Sequence, residues 1–515
     1  MPRRLALPSA VVALVAVAGA PALGGGFLSD DHHVVERGQL IGAWRNLPVI
    51  WSHDAMWNSD LGAFAKTSPL DTYRPVTMTT FVLDHAIWGK RPLGYHLTSL
   101  LLHLGCVALL CVFARRAAGE AAAASAALLL GLHPVASEAW VWINGRSDLL
   151  ATLLVLAALL ALERGEGAAP RPTGRGASPR EAGRPRPSAV ATAALLALGA
   201  CLAKETAVVA VALLALRPRW PAEAGDVPAL RLRRPAALAA LGAAGALYLV
   251  LRALALGGMR VAGSGAHVGA ALRALPAVLG IGALDLALPR HAAPRFLAED
   301  VAALGTVGAT AIAVAITAAA ILLWRARRRA PLLAWAAAAY LACVAPGALT
   351  VSFRWQGQGR YFYLPLALIA VPLAHAATRA ARGRRPWLAV AVAYALLLVV
   401  QLQSSIAAMR DDDAAAQAAL EEFPDRSHGW EGVSRLRCGA GRQADGLRLL
   451  ERAYAIAPHD ARRLHNLAVC AFRSGEHARA LALNLAGQRE FPGDANFRHG
   501  ATLARVKLGD GLGAI

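Results

Sequence analysis

Asp30 and Asp31 stand side by side in "FLSDDHHVVERG", residues 27–38, and His32 and His33 follow at once. Two adjacent carboxylates repel, so one of the pair should have a raised pKa. A carboxylate tuned in this way can act as general base toward a hydroxyl. The string has two plainer readings. An acid at the exit of an apolar run is also a solvated cap. Asp30, Asp31, His32 and His33 are also metal-ligand types. Contiguous residues fan outward, however, and a metal would need further ligands from elsewhere.

Three cations have the chemistry to meet an anion. Lys204 lies in "LAKETAVVAV" between apolar runs, where a lysine is costly unless it meets a negative group. Its neighbour Glu205 is the structural alternative. Arg360 lies in "GQGRYFYLP" beside Tyr361 and Tyr363. An aromatic belt explains the tyrosines without function, while the arginine suits a lipid phosphate. Arg74 opens "YRPVTMTTFVLDHAIWG", as an interfacial arginine or a further phosphate partner. In "HPVASEAWVWINGRSD", His133 and Pro134 close an apolar run. Glu138, Arg146 and Asp148 either contact substrate or form a salt-bridged turn.

The elements that must position these residues are membrane helices. The 515 residues are 57% hydrophobic and only 17% charged, with mean hydropathy +0.44. Soluble chains are rarely that apolar, and several runs reach the ~20 residues that cross a bilayer. Residues 5–23 after Arg3 and Arg4 resemble a signal peptide, but more apolar runs follow, and a first span is expected instead. The net charge of +20 does not indicate nucleic acid. Its arginines cluster in short loops such as "ARRAAGE", "WRARRRA" and "TRAARGRRPW", the positive-inside signature of cytoplasmic loops.

The expected fold is all-α, a polytopic bundle of about 11 spans. They run over 5–23, 95–114, 119–135, 147–163, 189–203, 206–216, 235–254, 302–324, 331–348, 364–379 and 387–403. The N-terminus is cytoplasmic. Loops 24–94, 136–146, 255–301 and 349–363, and everything after 404, lie outside. The arms around Lys204 have Arg-rich flanks and are too short to cross, so a shielded hairpin is expected there. Residues 270–289 are expected to re-enter or lie at the interface. Nearly every polar cluster then falls on the outer side. Cys106, Cys111, Cys201 and Cys343 sit in apolar runs as small hydrophobes; Cys438 and Cys470 near the C-terminus could form a disulfide, which nothing else in the sequence supports.

From residue 411 the chain turns polar. Pro424, Pro458 and Pro492 keep one spacing, and Gly441, Gly475 and Gly509 keep the same one. It is the 34-residue period of tetratricopeptide repeats, which bind extended partners. The expected domains are a membrane domain over 1–403, with the acidic outer loop 24–94, and extracytoplasmic repeats over 404–515.

The segments "FLSDDHHVV", "YRPVTMTTFVLDHAIWGKRPLGYHLTSLLLH", "LHPVASEAWVWINGRSDLLATLL", "LAKETAVVAV" and "RYFYLPL", with the repeats behind them, resemble the transmembrane and tetratricopeptide-repeat O-mannosyltransferase family. That resemblance implies a GT-C-fold glycosyltransferase. It implies a polyprenyl- or dolichyl-phosphate sugar donor, typically mannose, and Ser or Thr hydroxyls of proteins as acceptors on the outer or luminal face. Asp30 or Asp31 would be the catalytic acid of the first outer loop, and Glu299–Asp300 the weak match to a second acidic motif. We assign Asp30 as base toward the acceptor hydroxyl, with Asp31 holding the acceptor or tuning its neighbour. Arg360, Lys204 and Arg74 would meet the leaving phosphate, so no metal or other cofactor is required. His133, Glu138, Arg146, Asp148 and Tyr361 would contact substrate. The chain departs from the family at Gly359, where an acid is usual before the Arg-Tyr pair, and its repeats are few. Alternatives are the same chemistry on a lipid or envelope glycan, and a non-catalytic membrane scaffold that presents the repeats.

Overall fold

A computed structural model describes residues 3–59, 72–166, 187–215, 235–258, 265–292, 297–354, 359–381 and 386–510. The described residues are helical, with no strand among them. Eight of their helices are long and apolar enough to cross a membrane, the first over Ala6–Gly24 and the last over Pro386–Ala408. The helices Glu120–Leu132 and Pro134–Val141 form a ninth candidate, bent by 59°. Pro134 explains the bend, because it lacks the N–H that would continue the ladder. Pro187–Ala203 and Pro331–Gly347 are apolar but shorter. The chain is therefore an all-α, multi-pass membrane bundle.

Two expected elements fall on described helices. The stretch expected to re-enter or lie at the interface forms Val268–Ala287, 20 residues long and apolar enough to be a candidate span. The arm expected over 206–216 is the helix Ala207–Ala215. The break before it falls at Lys204–Thr206, where the hydrogen bonds tighten to Ala207 N–Lys204 O and Val208 N–Glu205 O. Two charges in an apolar run thus coincide with the end of Pro187–Ala203.

Contacts divide the chain into two compact units, Met1–His291 with Arg295–Ala407, and Ala292–Pro294 with Ala408–Ile515. Within the first, the stretch after the first span has its own apolar core. Phe27, Val34, Val35, Ile41 and Ile50 pack against Met78, Phe81, Val82, Tyr95 and Ile143. The buried Asn58 pins it, donating to Val34 O and accepting from Leu40 N and Ile41 N. The helix Pro75–Trp88 starts on a proline, which suits the first helical position, and stops at Gly89 with φ of 61°.

In the second unit the helices Ser427–Gly439, Ala461–Arg473 and Ala495–Lys507 begin 34 residues apart, with Gln443–Ile456 and His477–Glu490 between them. Gly441, Gly475 and Gly509 have φ of 79°, 83° and 84°. Each follows one of the first three helices in the left-handed conformation that glycine adopts without penalty. The periodic glycines and prolines therefore mark recurring helix ends.

Candidate functional site

Asp30 and Asp31 sit in a short, tightly folded loop. Ser29, just before them, has φ of 53°, rare outside glycine, and His32–Glu36 forms one π-helical turn. Strained residues and π-turns recur where a side chain must be aimed. The two acids then part company. Asp31 is completely buried, and its carboxylate accepts from Leu28 N at 3.1 Å and Asn144 N at 2.8 Å. Burial pushes its carboxyl well above the usual carboxylate range, and the two backbone donors offset only part of that. Asp30 is half-buried. Asp31 therefore builds the loop and has no open face for an acceptor, whereas Asp30 retains contact with the surface.

His32 directs Nδ1 at Glu36, 2.6 Å away. Among the described residues no group of three His, Cys, Asp or Glu side chains converges as metal ligands, so the metal reading of Asp30–His33 gains no geometric support.

The structure brings Lys204 and Arg360 to one ring, 4.9 and 5.7 Å from the centre of Tyr361, and Arg74 to Glu205, the neighbour of Lys204. Their partners differ. Arg74 forks onto Glu205, with Nε and Nη2 at 2.9 and 2.5 Å from its two oxygens. Thr77 Oγ1 donates to Ala203 O nearby, so the start of Pro75–Trp88 is tied to the helix break. Lys204 is buried against Asp148 and lies 4.9 Å from the centre of the Tyr361 ring. Arg360 is 4% exposed and stacks on Trp142 at 4.2 Å. Its Nε and Nη1 have no hydrogen-bond partner among the described residues. A buried guanidinium in that state is suited to receive an anion.

The space beside Gly359 is already filled. A Cβ there would meet Val135 O at 2.9 Å and Glu138 Oε2 at 3.2 Å. Glu138 occupies the place an acid at 359 would need, and Oε2 accepts from Arg360 N at 3.3 Å.

Other expected site residues are placed as supports. Arg146 pairs with Asp84 at 2.6 Å, donates to Tyr95 O and Ser99 Oγ, and lies over Phe81. His133 uses both ring nitrogens, one accepting from Val135 N and the other 3.0 Å from Leu286 O. Neither presents a free polar atom to a substrate in this geometry. The side chains of Glu299 and Asp300 lie outside the described residues.

Sequence reasoning missed Trp142. Its Nε1 donates to Leu28 O at 2.9 Å, within the acid loop, while its ring carries Arg360. It also missed Asn144, whose backbone holds Asp31. Both lie in the "WVWINGRSD" segment that had been singled out for its charges, and an indole N–H in a dense polar stretch is the signal that was available.

No protein-family model matches the chain. The chain is similar over part of its length to curated protein O-mannosyl-transferases. Human TMTC4 is 31% identical over 151 residues, 26% of this chain and 20% of that protein. Mouse TMTC2 is 33% identical over 137 residues, 26% of this chain and 16% of that protein. Drosophila melanogaster Tmtc1 is 31% identical over 198 residues, 38% of this chain and 20% of that protein. The match thus spans a fifth or less of each relative's length. The resemblance read from the motifs therefore holds at the level of sequence similarity. Among solved structures, ArnT from Cupriavidus metallidurans bound to undecaprenyl phosphate superposes with a TM-score of 0.39 at 14% identity, covering 98% of this chain and 89% of that one. An Archaeoglobus fulgidus oligosaccharyltransferase tethered with an acceptor peptide gives 0.37 at 14% identity, covering 80% and 55%. Scores at that level are too low to carry weight on their own.

Proposed function

We propose that this chain is a GT-C-type membrane glycosyltransferase. It transfers a sugar, mannose by its family resemblance, from a polyprenyl-phosphate donor to Ser or Thr hydroxyls of proteins on the outer or luminal face. The observation that carries the reading is Arg360, a buried arginine with two nitrogens unpartnered among the described residues, joined through Trp142 to the loop that holds Asp30.

Asp30 takes the proton of the acceptor hydroxyl as its oxygen attacks the sugar C1. The bond from C1 to the phosphate oxygen breaks on the opposite face, so the anomeric centre inverts. Negative charge develops on the departing polyprenyl phosphate, and preorganised cations stabilise it. Arg360 contacts that phosphate. Lys204 and Arg74, already paired with Asp148 and Glu205, contribute field from behind. The reaction as written needs no metal, because a monophosphate leaving group can be met by these cations. The helical repeats, read as tetratricopeptide units on the outer side, hold an extended part of the acceptor protein.

The test is transfer by the purified full-length chain, using labelled polyprenyl-phosphate-mannose and Ser/Thr-containing peptides. Label on the peptide hydroxyl, lost in Asp30→Asn, supports the reading. Label appearing in a glycolipid with none in peptide would overturn the acceptor. No transfer from any polyprenyl-phosphate sugar would overturn the enzyme itself.

A further inference from the structure

In the second unit, Cys438 closes the helix Ser427–Gly439, and Cys470 lies in the next equivalent helix, Ala461–Arg473. Their sulfurs are 2.8 Å apart, although both residues are thiols in the structure. That is within 1 Å or so of the roughly 2.05 Å of a disulfide bond. Space is kept for this contact. Gly446 faces Cys438, and a Cβ there would lie 2.2 Å from its sulfur. Any larger residue at 446 would push the Cys438 sulfur away.

We propose that Cys438 and Cys470 form a disulfide that staples two adjacent repeats in the mature protein. The proposal rests on the reading that the repeats lie on the outer, oxidising side, where disulfides persist. Repeat units are stabilised chiefly by their neighbours, so a staple between two of them reinforces the interface on which each depends.

The order of events follows from exposure. Cys438 is half-buried, whereas Cys470 is 5% exposed and burial pushes its thiol up to about 12. The thiolate of Cys438 therefore attacks first. Its target is a sulfur of an external disulfide donor of the thiol–disulfide oxidoreductase class. A mixed disulfide forms and the donor releases one thiolate. Cys470 then loses its proton and attacks the Cys438 sulfur, expelling the donor's second thiolate. Two protons leave the protein, and the donor disulfide is reduced by two electrons.

The experiment uses the full-length chain, expressed in its membrane and trapped by acid before alkylation under denaturing conditions. Alkylated peptides are read by mass spectrometry with and without prior reduction. The expected result is that Cys438 and Cys470 take the alkylating reagent only after reduction, and that a cross-linked peptide pair disappears in Cys438→Ser and in Cys470→Ser. Reduction should also lower the temperature at which the repeats become protease-sensitive by on the order of 10 °C. Both thiols alkylated without reduction would overturn the proposal. Protease added to sealed, outward-facing vesicles then identifies what failed. A digested tail places the repeats outside and rejects the pairing itself, and a protected tail rejects the outer location together with it.

Discussion

Arg146 and Arg360 are both buried arginines within the membrane unit, and they are held in opposite ways. Arg146 is at 0% exposure, and its three terminal nitrogens are directed at Asp84, Thr80, Tyr95 and Ser99. Arg360 is almost as deep, yet two of its nitrogens have no partner among the described residues, and its face rests on Trp142. Removing one member of a buried ion pair leaves a stranded charge, which is costly to the fold. A buried cation left short of partners carries a desolvation cost that an arriving anion can offset. The two sites differ in donor accounting rather than in charge. Asp31 and Asp30 repeat the contrast among acids, one fully engaged with backbone and the other reaching the surface.

The sharpest way to break this comparison is at the acids. Asp30→Asn should lower turnover by about 10²–10⁴, as loss of a general base does, while donor binding stays near wild type. Near-normal turnover in a single-turnover assay would remove Asp30 from the chemistry. Arg146→Ala should act on stability instead, by roughly 3–5 kcal/mol, because it leaves Asp84 buried and unpaired. The readout is loss of folded protein in detergent, with donor affinity unchanged in the fraction that folds. Arg360→Lys keeps charge but loses the planar fork. It should weaken binding of polyprenyl phosphate by about 10–100-fold, in line with the loss of charged hydrogen bonds, with little change in melting temperature. A large melting shift with unaltered binding would reverse the contrast between the two arginines.

Asp31 gives a pH-dependent test. Its folded pKa is raised above the ordinary 3.8 by burial. A carboxyl of that kind contributes stability that is fully present below the unfolded value and is lost as pH rises through the folded one. Protease resistance of the loop that holds Asp31 should therefore decline as pH rises out of the acid range, and Asp31→Asn should flatten that decline. The smallest effect is expected at Trp142→Phe, which keeps a ring under Arg360 but removes the hydrogen bond to Leu28 O. One neutral hydrogen bond is worth about 1 kcal/mol, so turnover should fall about fivefold with donor affinity held. Equal losses in both would mean that Trp142 supports Arg360 alone.

Much of this was legible in one dimension. The apolar runs, the arginines between them and the 34-residue spacing of Pro and Gly are local patterns, and they specified a multi-pass helical chain with a repeating tail. Hydropathy depends on composition over about 20 residues, and a helix end depends on the few residues around it. The break at Lys204–Thr206 was legible for the same reason, and the residue types that could act as base or phosphate ligand were visible as types. Which of them is committed to the fold was decided only in three dimensions. Trp142 meets Leu28 across 114 residues, and Arg360 meets Glu138 across 222. Arg146 and Arg360 are the same residue type in similarly apolar surroundings, and nothing local separates them. Only the packed bundle fixes how many donors each has already used, because a hydrogen bond requires its partner within about 3 Å, and those partners come from remote parts of the chain.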